Sequence, residues 1–80
     1  MLWHVKVIAT FGNIIRIAYC YENSNKYDGI IDYDTDSGER KVILSSDTSS
    51  ERSDNELLAL LRIVYREGNL TEKPYCIATG

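Results

Sequence analysis

Three aspartates at alternate positions, Asp32, Asp34 and Asp36, are the residues whose type and spacing most suggest chemistry. Carboxylate oxygens are ligands that calcium prefers, and an EF-hand loop needs a glycine at its sixth position and a bidentate glutamate at its twelfth. Counting from Asp32, the sixth position is Ser37 and the twelfth is Ile43. We therefore expect a hairpin tip with solvated carboxylates here, and a weak divalent-cation site stays as the alternative.

A histidine and a cysteine form the second candidate group. His4 is the one histidine of the chain, and a hairpin formed by the first 22 residues can place it on one face with Lys6 and Cys20. A nucleophilic cysteine needs a thiolate beside a base, together with a group that orients the base. The sequence specifies no such group. We assign no catalytic, cofactor-binding or metal-binding residue, and we expect Cys20 to be a small buried side chain.

The spacing of Cys20 and Cys76 is not that of a metal site. The two would be neighbours if the last strand paired with the second, which leaves a disulfide open in an oxidising compartment. The N-terminal residues do not resemble a signal peptide, and no apolar run reaches the roughly 20 residues that span a bilayer. We therefore expect a cytoplasmic location with reduced thiols.

Strands and turns must position these residues. Residues 3–11 alternate between apolar and polar types, which predicts a half-buried strand. The face expected to be buried carries Trp3, Val5, Val7, Ala9 and Phe11. β-branched and aromatic residues favour a second strand over 14–22. Further strands are predicted at 27–34, 39–45 and 75–79.

The length of the turn at residues 12–13 decides which faces of the first two strands meet. A two-residue loop pairs Phe11 with Ile14 and places Arg16 on the apolar face. A three-residue loop, or an equivalent bulge, pairs Phe11 with Ile15 and leaves Arg16 on the solvated face. Because a slip of one residue exchanges the two faces, we favour the second register, which keeps the charges in water.

One amphipathic helix is predicted between Ser53 and Gly68. Ser53, followed three residues later by Glu56, is a capping-box pattern, and Gly68 is a typical C-terminal stop. The apolar stripe contains Leu57, Leu60, Leu61 and Val64, with Leu58 and Tyr65 at its borders. The serine-rich stretch 45–53 has no apolar residue, so we expect it to be a mobile loop.

The 80 residues predict one domain, 1–80, of the α+β class. The order β-β-β-β-α-β implies a mostly antiparallel sheet of about five strands with one amphipathic helix on one face, a small two-layer domain. The formal net charge is −3, and the nine Lys and Arg residues are scattered along the chain. Nucleic-acid binding depends on a basic patch, so we expect no nucleic-acid partner, and no membrane partner either.

Six tyrosines, and apolar residues on both faces of the predicted sheet, indicate an interaction surface. We expect a small non-enzymatic binding or regulatory module that contacts a protein partner or its own copy, with a homodimer as the specific expectation. The residues assigned to the surface are Ile8, Ile14, Ala18, Tyr19, Tyr21 and Tyr33. Two alternatives stay open: a small metal-dependent or hydrolytic enzyme that uses the aspartate-rich hairpin or His4 with Cys20, and an acidic inhibitor protein of phage or plasmid type.

Overall fold

Five strands and one helix make up the described part of the chain, in the order that the sequence predicts. The computed structural model describes residues 1–22, 24 and 26–79. The elements are β1 (Leu2–Phe11), β2 (Ile14–Tyr21), β3 (Gly29–Asp34), β4 (Arg40–Leu44), α1 (Glu51–Arg66) and β5 (Tyr75–Ala78). The prediction of an α+β fold with an antiparallel sheet and an amphipathic helix is confirmed.

The strands form one antiparallel sheet in the order β4-β3-β2-β1-β5. The first four strands run as consecutive hairpins, each beside the strand that precedes it. After β4 the chain forms α1 on one face of the sheet and returns as β5 beside β1. Cys20 of β2 and Cys76 of β5 therefore lie on strands that are not adjacent.

A bulge in β1 decides which side chains of the first hairpin face the core. Val7 pairs with Ile17, whereas Ala9 pairs with Arg16, so Ile8 is an extra residue inserted between the two pairs. An inserted residue exchanges the faces of a strand, because successive side chains point to opposite sides.

The bulge combines features of the two registers that the sequence allows. The turn has two residues, with Phe11 paired to Ile14. Before the bulge, the apolar side chains of residues 3–7 nevertheless face the core, as in the favoured register. After it, Ala9 and Phe11 lie with Arg16 on the opposite face. The prediction that the buried face of β1 extends to Phe11 is therefore wrong beyond the bulge.

The helix α1 begins three residues earlier than the sequence predicts. Ser50 is the N-cap, since its hydroxyl accepts the Ser53 N–H at 3.2 Å while the Ser53 hydroxyl accepts the Ser50 N–H at 2.8 Å. The predicted cap, Ser53, is thus the third residue of the helix. The helix ends at Arg66 with Glu67 as its C-cap. Gly68 follows, and its φ of 77° lies in the left-handed region that glycine adopts without strain.

The core lies between α1 and the inner face of the sheet. It consists of Trp3, Val5, Ile17, Tyr19, Ile31, Tyr33, Leu57, Leu61, Val64, Leu70 and Ile77. Leu60 is only partly buried, so it lies less deep than its place in the apolar stripe predicts. Among the described residues, no helix has the length and apolar character needed to cross a membrane.

Candidate functional site

The face of the sheet opposite α1, here called the outer face, is covered at one end and bare at the other. At the covered end, Cys20 Sγ donates a hydrogen bond to the carbonyl oxygen of Ser24 at 3.1 Å. On the same face, Lys6 Nζ lies 4.5 Å from the centroid of the Tyr27 ring. Ser24 and Tyr27 thus lie against this end, and both Ala18 and Cys20 are buried.

His4 lies at the covered end between two cysteines. It pairs across the strands with Cys20 of β2 and with Cys76 of β5, so the expected juxtaposition of His4 and Cys20 on one face is confirmed. Burial, together with the nearby Asp28 carboxylate, raises the pKa of the Cys20 thiol. A buried thiol that donates to a carbonyl oxygen is a poor nucleophile. The arrangement therefore gives no support to a cysteine-dependent reaction.

Cys20 and Cys76 are both free thiols. Strand β1 lies between their strands, and two strand spacings separate the Cα atoms by roughly 10 Å. A disulfide requires Cα atoms within about 7 Å of each other. The disulfide that the sequence leaves open is therefore incompatible with this sheet order.

The aspartates of the β3–β4 hairpin have separate partners. Asp32 accepts two hydrogen bonds from the Arg16 guanidinium, at 2.8 and 3.0 Å, and this contact lowers the pKa of the carboxyl. Asp34 accepts the backbone N–H groups of Ser37 and Asp36, at 3.2 and 2.9 Å, which lowers its pKa as well. Over the described ranges, no group of three or more His, Cys, Asp or Glu residues could hold a metal ion.

The bare end of the outer face, here called the open patch, combines apolar and charged side chains. Its apolar residues are Phe11, Ile14 and Ile43, with exposed fractions of 56, 36 and 50%. Its charged residues are Arg16, Asp32, Asp34, Glu39 and Lys41. A shallow cavity of about 180 Å³ lies between Ile14 and Ile43, with the charged residues of β3 and β4 on its walls.

The charges of the open patch are partly neutralised within the chain. Arg16 and Asp32 form an ion pair, and the Arg16 Cζ atom lies 5.3 Å from the centroid of the Phe11 ring. Lys41 stands across from Asp32 on the neighbouring strand. The patch therefore presents one neutral ion pair, one further cation in Lys41, and two further anions in Asp34 and Glu39.

The six residues assigned to an interaction surface from the sequence fall into different environments. Two of them, Ile8 and Ile14, are exposed. The others are buried or half-buried: Ala18, Tyr19, Tyr21 and Tyr33. The tyrosines of β2 and β3 lie on the inner face with Ile17 and Ile31, where α1 and the rest of the core cover them. Only the exposed residues remain available for contact with a partner.

Sequence reasoning missed Phe11, Ile43 and Lys41 as parts of this surface. Phe11 was placed on the core side because strict alternation contains no bulge. The one available signal is the run Val7-Ile8-Ala9, where three apolar residues interrupt the alternation. A second irregularity inserts Ile43 between the residues of β4 that pair with β3, and nothing in the local pattern predicts it.

A buried polar cluster ties the serine-rich segment before α1 to the sheet. Tyr19 Oη donates to Asp54 Oδ1 at 2.8 Å and accepts the Ser46 N–H at 3.1 Å. Ser45 Oγ donates to Asp54 Oδ2 at 2.5 Å, and Ser46 Oγ donates to Asp28 Oδ1 at 2.5 Å. Because the polar groups of the cluster form hydrogen bonds with one another, we interpret its role as stabilising the fold. The segment that the sequence predicts to be mobile thus makes several hydrogen bonds to residues of the sheet and helix.

The thiol and carboxylate groups that could take part in chemistry thus form hydrogen bonds within the protein. The open patch, in contrast, leaves apolar side chains exposed. The open patch is for this reason the candidate functional site. Comparison with known proteins adds no relative, because no protein-family model, no curated protein and no solved structure matches this chain.

Proposed function

We propose that this chain is a small non-enzymatic binding module that associates with a second copy of itself through the open patch. The observation that carries the proposal is the asymmetry of the sheet: α1 covers one face, while Phe11, Ile14 and Ile43 are exposed on the other. A cluster of exposed apolar side chains rimmed by polar residues is typical of a protein–protein contact surface.

The charges of the open patch favour a second copy over an unrelated partner. Because Arg16 and Asp32 neutralise each other, the remaining charges of the patch are one cation, Lys41, and two anions, Asp34 and Glu39. In a two-fold symmetric dimer, each contact between two residues occurs twice, with the copies exchanged. Two facing patches can therefore bring Lys41 of each copy to the carboxylates of Asp34 and Glu39 of the other, beside the exposed apolar side chains.

The size of the patch predicts a weak dimer. Four strands about 4.8 Å apart, each with about five residues at roughly 3.3 Å per residue, cover roughly 300 Å² of flat sheet. A standard interface buries about 800 Å² on each partner. The area of the patch and its surroundings is thus at the low end of the areas of specific interfaces. We therefore expect weak binding, with a dissociation constant of about 10 μM or higher.

Sedimentation equilibrium over a range of concentrations tests the proposal. We expect the average mass to rise from the 9.1 kDa of one chain toward twice that value between about 1 μM and about 1 mM. Added salt should weaken the association, because it screens the ion pairs at the rim of the contact. A mass that stays at 9.1 kDa throughout this range would contradict the proposal.

Two matched variants locate the contact. Ile43→Asp should weaken association at least about tenfold, because dimerisation would desolvate the new carboxylate. Ile63→Asp is the control, since Ile63 has a similar exposed fraction, 52%, but lies on α1. We expect it to leave the dissociation constant unchanged, with circular dichroism showing that both variants fold. An equal effect of the two variants would place the contact outside the open patch.

A further inference from the structure

A second cavity, of about 340 Å³, lies between the tip of the β3–β4 hairpin and the C-terminal half of α1. Pockets for small ligands start at about 300 Å³, so this cleft has room for a compact molecule. Tyr33 and Tyr65 line it with their rings, whose centroids are 5.2 Å apart. Arg62 and Arg66 also line the cleft, and Ser37 lies across from them on the hairpin.

The Tyr33 hydroxyl is the first sign that the cleft can hold a ligand. Tyr33 is only 3% exposed, yet within residues 1–22, 24 and 26–79 its hydroxyl has no hydrogen-bond partner. Within this range, Trp3 Nε1 is the one polar side-chain atom that is both inaccessible to solvent and without a hydrogen-bond partner. The Tyr33 hydroxyl is therefore not sealed from solvent, and Tyr33 is one of the residues that line the cleft. A ligand oxygen that accepts a hydrogen bond from this hydroxyl replaces water there, so its net gain in free energy is modest.

The arginines of the cleft are the second sign. Arg62 and Arg66 are one helical turn apart, so their side chains lie on the same side of α1. Within the described part of the chain, the one ion pair is Arg16–Asp32, which leaves both guanidinium groups without a carboxylate partner. The Cζ atom of Arg40 lies 5.8 Å from the Tyr33 ring centroid and adds a third positive charge nearby.

The balance of charge at the cleft is opposite to that of the whole chain. Two guanidinium groups, those of Arg62 and Arg66, lie on its lining, against one carboxylate, that of Asp36. The chain as a whole carries a formal net charge of −3. Guanidinium groups bind phosphate through pairs of parallel hydrogen bonds, and the exposed Tyr65 ring offers a surface for an aromatic group.

We propose that this cleft binds an aryl phosphate monoester. Arg62 and Arg66 contact the phosphoryl oxygens, and the Tyr33 hydroxyl donates a hydrogen bond to the same group. The Ser37 hydroxyl, which accepts the Glu39 N–H at 3.2 Å, has its own proton free to donate. The Tyr65 ring packs against the aromatic substituent. The site is independent of the open patch, which lies on the outer face of the sheet.

An NMR titration with phenyl phosphate tests the site. We expect saturable shifts of the amides at residues 35–38 and 62–66, with a dissociation constant of about 1 mM or tighter. Inorganic phosphate should bind at least about threefold more weakly, because it lacks the ring. The absence of saturable shifts up to about 20 mM phenyl phosphate would overturn the proposal.

Variants separate specific binding from a general effect of charge. The double variant Arg62→Ala, Arg66→Ala should bind phenyl phosphate at least about tenfold more weakly, because it loses charge-assisted hydrogen bonds. Tyr33→Phe keeps the ring and should weaken binding about threefold to tenfold. Arg52→Ala, at the opposite end of α1, is the control and should bind as the wild type does. Wild-type affinity in the double variant would overturn the proposal.

The same chemistry can come from a free aryl phosphate or from phosphotyrosine in a protein. A short phosphotyrosine peptide distinguishes the two sources. Affinity equal to that of phenyl phosphate would support a small-molecule ligand, and affinity at least about tenfold higher would support a peptide whose flanking residues also bind. A phosphoserine peptide that binds as tightly as its phosphotyrosine counterpart would refute the contact with an aromatic group.

Discussion

The six tyrosines of this chain differ in what their rings and hydroxyls contact. Tyr19 is buried, and its hydroxyl joins the polar cluster with Asp54. Tyr33 is also buried, and it lines the cleft. Tyr65 is partly exposed, with its ring against that of Tyr33. Composition cannot separate these roles, because strand formation and surface contact both favour tyrosine. What distinguishes the roles is the face of the strand or helix on which each tyrosine lies.

Leu61→Ala should be among the most destabilising substitutions. Leu61 is fully buried in the core, so its truncation opens a cavity and should lower the free energy of unfolding by about 2–5 kcal/mol. Leu60→Ala should cost less, because Leu60 lies at the border of the core. Urea denaturation measures both, with Ile63→Ala as an exposed control that changes stability by about 0.5 kcal/mol or less. An equal loss at residues 60 and 61 would contradict this order of burial.

Stability should fall in acid as Asp32 becomes protonated. The hydrogen bonds from Arg16 hold the pKa of Asp32 below its ordinary value of 3.8. A carboxyl whose pKa is lowered by folding stabilises the protein above its unfolded pKa, and this contribution disappears as the pH falls through the folded pKa. We therefore expect the free energy of unfolding to decrease below about pH 4.

The variant Asp32→Asn tests this assignment by denaturation at several pH values. Its stability should depend less steeply on pH in the acid range than that of the wild type. A smaller slope should remain, because the pKa values of Asp28 and Asp34 are also lowered by their hydrogen bonds. An unchanged slope would show that the Arg16–Asp32 contact does not contribute to acid unfolding.

Among the elements, the serine-rich segment before α1 departs furthest from its local composition. It has nothing apolar to bury, yet Ser46 is buried and Ser50 caps the helix. The partners of these serines are Tyr19, Asp28 and the helix itself, of which only the last is close in sequence. A loop can therefore be ordered by hydrogen bonds to distant residues when its own side chains supply no hydrophobic contact.

Hydrogen exchange should reveal this order. The Ser46 N–H donates to the Tyr19 hydroxyl inside the protein, so we expect its exchange to be at least about tenfold slower than that of the exposed Thr48 amide. Tyr19→Phe removes the acceptor and should bring the two rates together while β1 and β2 stay protected. Equal rates for Ser46 and Thr48 in the wild type would mean that the segment is mobile, as its composition by itself indicates.

In the whole molecule, the two proposed surfaces occupy different sides of the β3–β4 hairpin. The open patch lies on the outer face, whereas the cleft lies on the side of α1. Association through the open patch therefore leaves the cleft accessible, and each proposal can fail without the other. The variants test the two proposals independently, because Ile43→Asp changes no residue of the cleft and the arginine variants change no residue of the open patch.

By itself, the sequence determined the type and order of the elements. Apolar residues recur with a period of two in the strands and of 3.6 in the helix, and this periodicity is a local property of the chain. It was sufficient to predict an α+β fold with five strands. The apolar stripe of α1 was located in the same way, and Leu57, Leu61 and Val64 are buried as predicted. That His4 and Cys20 share a face also followed from the favoured register of one hairpin, whereas their direct pairing depends on the bulge.

Only the tertiary structure decided which surfaces these elements expose. The bulge at Ile8 moves Phe11 to the outer face, and Ser24 contacts the buried Cys20 there. β5 pairs with β1, which separates Cys20 from Cys76. Each of these outcomes depends on contacts between residues far apart in the chain. Local alternation specifies two faces for each strand, but burial is decided by what packs against each face once the strands have paired.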